Sequence, residues 1–229
     1  MKILARGEKI RTEELKLKLS SVVCDLTVNN DLEISPAKLK DFDLIFDLNF
    51  DDHKNRLADY AELKMPVIVS SVKIQLAKTV SDFGKEINFP LIGMNCLPTF
   101  INRDLVEISL VKNSEKEIAK RIFSKLNWKY RIVEDRVGMV TPRIIFMIIN
   151  EAFYTLEERT ATKEDIDTSM KLGTNYPFGP FEWADKIGSK NVYETLEAIY
   201  NNTKDERYKI CPLLKMKYLN GERFADQED

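Results

Sequence analysis

The first half of the chain alternates short apolar runs with amphipathic stretches. Runs at 2–5, 21–24, 44–48, 67–70, 91–94 and 105–110 have the length and composition of buried strands. Stretches 12–19, 52–63, 73–83 and 114–126 carry apolar residues at helical spacing. The last opens on Ser114 with Glu117 three residues on, a capping box. Strands and helices in alternation predict a mostly parallel sheet with helices on its faces.

The second half changes character. Ile132-Val133 fits a last short strand. Thr141-Pro142 fits a helix start, proline being suited to the first turn because it has no N–H to leave unbonded. The helix it opens runs to about Arg159 and is apolar on nearly every side at its start, which predicts burial. Thr162 caps the next helix, with Glu164 and Asp165 in a first turn whose dipole favours acids, and Gly173 fits its C-cap. A Pro-x-Gly-Pro turn follows at 177–180, then a helix over 191–201 and a short one over 212–218. The change divides the chain into a first domain, 1–112, and a helical second domain, 113–229, with a boundary nearer 130 as the alternative.

Composition narrows the class. At 229 residues the chain can bury a core without disulfides or metals. Its 35 basic and 37 acidic residues nearly cancel, so charge points to neither nucleic acid nor an anionic membrane. Three widely spaced cysteines, Cys24, Cys96 and Cys211, form no metal pattern and suit a reduced, cytoplasmic protein. The first apolar run is too short for a signal peptide, and no uncharged run approaches membrane-spanning length.

Residues 134–221 carry a dense set of motifs. They are Gly138-Met139-Val140-Thr141-Pro142-Arg143, Asn150-Glu151-Ala152, Asp165-Ile166-Asp167, Lys171-Leu172-Gly173, Pro177-Phe178-Gly179-Pro180, Glu182, Asp185 and Gly188, then Arg207-Tyr208 and Pro212-Leu213-Leu214. In kind and spacing this span resembles the C-terminal domain of the 3-hydroxyacyl-CoA dehydrogenases. The first half resembles the family at three places. Residues 42–47 with Asp51-Asp52 match a strand-and-loop pattern beside the cofactor, 69–72 match Thr-Ser-Ser-Leu, and 93–110 match the segment of the catalytic histidine. The resemblance implies a reduced Rossmann-like, mostly parallel sheet domain followed by an all-α domain of the 3-hydroxyacyl-CoA dehydrogenase type. It further implies NAD as cofactor, an acyl-CoA or small 3-hydroxy acid as ligand, a place in fatty acid metabolism, and a homodimer formed through the helical domain.

The same comparison assigns site residues. Ser70 and Glu107 stand at the family's substrate serine and histidine-holding glutamate, and Gly7, Asp25, Asp47 and Asp51 at cofactor positions. Gly7 reads equally as a corner after the first strand, and Asp25 as a surface residue at a strand end. Several positions depart from the family. The three fingerprint glycines read Ala5, Gly7 and Ile10, which places a branched side chain where helix and strand meet closely. The helical excursion before Phe42, which helps hold CoA in the family, is reduced to a short link. The histidine position holds Asn95, whose amide cannot exchange a proton at neutral pH. The active-site asparagine is Pro142. Glu107 reads either as a replacement base, if burial raises its pKa, or as half of an ion pair. Cys96 reads as a substitute or as a small buried apolar residue, and His53, the single histidine, as a surface residue at a helix start. Two functions follow: an NAD-dependent oxidoreductase of 3-hydroxyacyl-CoA or a related 3-hydroxy acid, or a non-catalytic family member that binds a ligand or a partner.

Overall fold

The structure is a computed structural model of the chain, and it describes residues 1–30, 34–222 and 224. It divides into two compact units, 1–139 and 140–229.

The first unit is built on seven strands: β1 (Lys2–Arg6), β2 (Asp25–Asn29), β3 (Leu44–Asp47), β4 (Val67–Ser70), β5 (Leu91–Met94), β6 (Leu105–Leu110) and β7 (Lys129–Ile132). Their spatial order is β2-β1-β3-β4-β5-β6-β7, and every neighbouring pair is parallel except β5 with β6. The central strands are buried at every position because both faces are covered. Alternate residues feed two cores. Ile3, Phe46 and Ile68 pack with Leu15 of α1 (Lys9–Lys18) and Phe123 of α5 (Lys116–Leu126). Leu4, Ile45 and Val67 pack with Leu39 of α2 (Pro36–Leu39), Tyr60 of α3 (Leu57–Tyr60) and Leu76 of α4 (Leu76–Phe83).

Several boundaries differ from the sequence reading, each for a local reason. The second strand is β2, four residues later than 21–24. Val23 of the expected run is 99 % exposed, and the true strand mixes apolar and polar residues because it lies at the sheet edge. The helix expected over 52–63 is instead two 3₁₀ turns, Phe50–Asp52 and Lys54–Arg56, followed by α3. His53 joins the turns at φ −136°, ψ 52°, outside the helical region. The helix expected from 73 begins at Leu76, where the Asp135 carboxylate accepts the backbone N–H of Leu76 and Ala77 at 2.9 and 2.7 Å. The cap expected from Ser114 and Glu117 lies two residues earlier. Glu115 accepts the Lys112 N–H at 2.9 Å ahead of a 3₁₀ turn.

The boundary expected after residue 112 falls after Met139 instead. The segment beyond 112 supplies α5 and β7, and β7 pairs with β6 from Leu105↔Lys129 to Ile108↔Ile132. The link from β2 to β3 contains only α2 among the described residues; 31–33 lie outside them.

The second unit is helical: α6 (Thr141–Glu157), α7 (Lys163–Thr174), α8 (Pro180–Ile187), α9 (Ser189–Thr203) and α10 (Pro212–Leu219). α6 is the centre, packing against α8, α9 and α10. Phe153 meets Phe181 and Phe224 edge to face at 5.0 and 4.8 Å, the geometry that opposed ring quadrupoles favour. The N-cap at Thr162 forms as expected, accepting the Asp165 N–H. Gly173 is not the C-cap: α7 continues to Thr174, and Asn175 takes the left-handed conformation at φ 57°. Among the described residues no helix is long and apolar enough to cross a membrane.

The Pro-x-Gly-Pro turn has a specific task. It starts α8 beside Asp167 of α7, whose two carboxylate oxygens accept the N–H of Phe181 and Glu182 at 2.9 and 3.0 Å. These are unbonded amides of a helix start, and Pro180 contributes none of its own.

Candidate active site

Parallel strands deliver their C-terminal ends to one edge of the sheet, and antiparallel β6 delivers its N-terminal end there. Ser70, at the end of β4, pairs in register with Met94 of β5. Asn95 follows Met94, and its backbone N–H bonds the Glu107 carbonyl of β6 at 3.2 Å. The topology therefore brings Ser70, Asn95 and Glu107 to one edge. Ser70 is fully buried and Asn95 is 4 % exposed. The Asn95 side-chain oxygen accepts the Leu97 N–H at 3.3 Å, so the amide shapes the turn out of β5.

Cys96, beside it, is fully buried, and burial pushes its thiol well above the ordinary range. A neutral, enclosed thiol is a small apolar packing group and not a substitute for an imidazole.

The segment after β5 is fixed from α1. The Glu14 carboxylate accepts the Thr99 N–H at 2.7 Å and holds Thr99 at φ 72°. Burial raises the Glu14 carboxyl, and the backbone N–H groups of Thr99 and its neighbours pull it back down.

The expected cofactor positions are differently placed. Asp25 begins β2 opposite Lys2, at the N-terminal edge of the sheet, because the true strand starts where the sequence reading ended it. The matching position at the C-terminal edge is Asn29, opposite Arg6. Next to it, the Asn30 side-chain amide donates to the Gly7 carbonyl at 2.8 Å and to the Thr12 hydroxyl at 3.0 Å.

Asp47 is fully buried at the end of β3. It accepts from Arg56 Nη1 at 3.0 Å, the Tyr60 hydroxyl at 2.7 Å and the Asn49 N–H at 3.3 Å. Burial pushes its carboxyl up, while Arg56 and Tyr60 pull it back. Burial and then the Asp47 charge hold the Tyr60 phenol well above its ordinary value. Arg6 extends the network to Tyr60 at 3.2 Å and Asp59 at 3.0 Å. Asp51 is 5 % exposed and accepts the Ser70 hydroxyl at 2.8 Å, with Arg11 Nη1 at 3.9 Å.

Gly7 leaves β1 within contact of the next strand's exit. A Cβ there would lie 2.8 Å from Asn49 Oδ1 and 2.9 Å from Leu48 Cβ. Asn49 Oδ1 accepts the Glu8 N–H at 2.8 Å, and the fully buried Arg11 donates to the Leu48 carbonyl. Ile10 is 52 % exposed and so does not stand between α1 and the sheet; Arg11, Thr12 and Leu15 are the buried positions of α1.

In the helical unit, Pro142 lies in the first turn of α6 and is buried. The motif residues around it are structural ties. Asn150 donates to the Lys209 carbonyl and accepts the Cys211 N–H, each at 2.9 Å, and Arg143 donates to the Tyr208 hydroxyl at 2.9 Å.

The sequence reading did not single out Arg11, Glu14, Asn49 or Asp135. Their partners lie far along the chain, 37 positions for Arg11 with Leu48 and 85 for Glu14 with Thr99, so no local pattern marks them.

The comparisons agree with this geometry. The profile of the family "3-hydroxyacyl-CoA dehydrogenase, C-terminal domain" matches residues 138–226. The chain is 30 % identical over 229 aligned positions to a 3-hydroxybutyryl-CoA dehydrogenase of Bradyrhizobium diazoefficiens, covering 94 % of this chain and 73 % of that protein. The chain belongs to the 3-hydroxyacyl-CoA dehydrogenase family. A probable 3-hydroxybutyryl-CoA dehydrogenase of Bacillus subtilis is 33 % identical over 150 positions, 61 % of this chain and 52 % of that protein. The crystal structure of the (S)-3-hydroxybutyryl-CoA dehydrogenase of Ralstonia eutropha shares the fold, with a TM-score of 0.70 at 21 % identity over 96 % of this chain and 94 % of that one. The family is one of oxidoreductases, and this member keeps its two-part fold.

Proposed function

We propose that this family member binds a 3-hydroxyacyl thioester or a small 3-hydroxy acid as a homodimer and does not carry out the standard NAD-dependent oxidation. One observation carries this reading: the position opposite Glu107 holds an amide, Asn95, whose side-chain oxygen already accepts the Leu97 N–H. Oxidation of a 3-hydroxyl group needs a group that takes its proton near neutral pH, and losing such a base costs roughly 10²–10⁴ in rate. The test is acetoacetyl-CoA-dependent oxidation of NADH by pure, folded protein over a wide pH range. Turnover should fall at least about 10²-fold below that of an active relative; turnover within tenfold of it overturns the reading.

A second reading rests on the meeting of Ser70, Asn95 and Glu107 at one edge. In it the protein is an NAD-dependent oxidoreductase in which Glu107 or a water takes the proton. Turnover abolished by Glu107→Gln is its signature.

The homodimer is supported by large apolar side chains that the helical unit leaves exposed. Ile144 is 57 % exposed at the start of α6, where the sequence predicts burial, and Leu172 and Leu219 are 83 % and 68 % exposed. Sedimentation at micromolar concentration should give twice the 26.6 kDa chain mass; a monomer there refutes it.

A further inference from the structure

The family implies a dinucleotide, and a dinucleotide makes three demands on this fold. The turn after β1 must let the pyrophosphate approach the backbone, the first amides of α1 must face it, and a polar group at the end of β2 must meet the ribose.

At the first two the chain's own side chains compete with the dinucleotide, and at the third Asn29 is the polar residue at the end of β2. Gly7 does permit a close approach, but the atoms that use it are Asn49 Oδ1 and Leu48 Cβ, at 2.8 and 2.9 Å from where its Cβ would be. The Glu8 amide, at the start of α1, is bonded to Asn49 Oδ1. Glu8 itself adds an exposed carboxylate at the same helix end, a charge that repels phosphate. At the end of β2, Asn30 is turned back onto the Gly7 carbonyl and Thr12. Beyond the turn, Arg6, Tyr60, Asp47 and Arg56 form one continuous bonded chain across the ends of β1 and β3, buried at every member. The Arg11 guanidinium spans from α1 to the Leu48 carbonyl with Asp51 nearby.

We infer that the pyrophosphate end of this fold's nucleotide crevice is closed by the chain's own side chains. Asn49 takes the place of the pyrophosphate at the start of α1, and the protein binds no nicotinamide dinucleotide. The arrangement goes further than loss of glycines. A worn fingerprint weakens binding, whereas a place taken by an internal hydrogen-bond acceptor must be vacated before binding starts. Each donor or acceptor stripped of its partner in doing so weakens binding further. This rests on the proposed function and extends it from the missing base to the cofactor.

Two measurements on the full chain test it. Calorimetric titration with NADH, NAD, NADPH and NADP should show no saturable binding up to millimolar concentration, and none should raise the thermal midpoint, as any ligand of the folded state must. Saturable binding below about 100 µM, some 5.5 kcal/mol, overturns the inference. Amide hydrogen exchange then reads the closed arrangement itself. The Glu8 N–H should exchange slowly in the unliganded protein, and Asn49→Ala should speed it at least tenfold while Trp128 fluorescence stays native. A Glu8 N–H that exchanges freely in the unsubstituted protein also overturns it. A dinucleotide that binds without turnover sinks this inference and leaves the proposed function standing. Conversely, a folded protein that binds neither a 3-hydroxyacyl thioester nor a 3-hydroxy acid sinks the proposed function and leaves this inference standing.

Discussion

Arg56→Met is expected to destabilise the sheet unit by about 3–5 kcal/mol, the usual cost of removing one partner of a buried ion pair. Arg56 is 6 % exposed, and its Nη1 lies 3.0 Å from an oxygen of the fully buried Asp47. Methionine keeps the apolar stem but leaves Asp47 with the Tyr60 hydroxyl and the Asn49 amide alone. The remaining charge stays out of water without its cation, and the carboxyl is pushed still further up. Tyr60 also holds Arg6, so the loss spreads along the chain of bonds that fills the crevice. The double variant Asp47→Leu with Arg56→Met should recover part of the loss, because an apolar pair leaves no orphaned charge.

The chain has two tryptophans, and each reports on one unit. Trp128 packs against Phe46 at 5.9 Å in the sheet unit, and Trp183 against Phe178 at 5.9 Å in the helical unit. Urea unfolding of Arg56→Met in a Trp183→Phe background therefore reads the sheet unit by itself. A loss under about 1 kcal/mol would match a surface pair and exclude the buried arrangement.

Gly179→Ala should destabilise the helical unit by about 3 kcal/mol, at the upper end for inserting one methyl into a packed site. The new Cβ would lie 2.2, 2.3 and 2.5 Å from Asp167 Cγ, Cβ and Oδ1. Those atoms cannot retreat freely, because the carboxylate is bonded to the start of α8 through Phe181 and Glu182. Moving Asp167 away costs the cap, and keeping it costs the overlap. Gly173→Ala, within α7, is the control: no atom lies within 4 Å of its Cβ position, and a helical alanine should stabilise slightly. Trp183 fluorescence in a Trp128→Phe background measures both. Equal effects at the two glycines would remove Asp167 as the reason for the Pro-x-Gly-Pro turn.

The division between sequence and structure follows range. Patterns within a turn or two were legible from the residues alone. They include the apolar runs that became β3, β4 and β5, the Thr162 cap with its acidic first turn, and the proline start of α6. The sequence also placed the chain in its family.

Tertiary structure decided the rest. The Asp25 side chain lies at the far edge of the sheet because an edge strand, buried on less of its surface, carries too weak an apolar pattern to fix its start. Asp47 and Asp51 are acidic residues in a family pattern, and only the fold reveals that Arg56, Tyr60 and Ser70 already hold them. Asp135 caps α4 from 58 and 59 positions away, a pairing no local spacing encodes. Sequence alone offered the candidate residues. The structure specified what occupies the space, because a buried polar group must find a partner somewhere, and here it finds one from another part of the same chain.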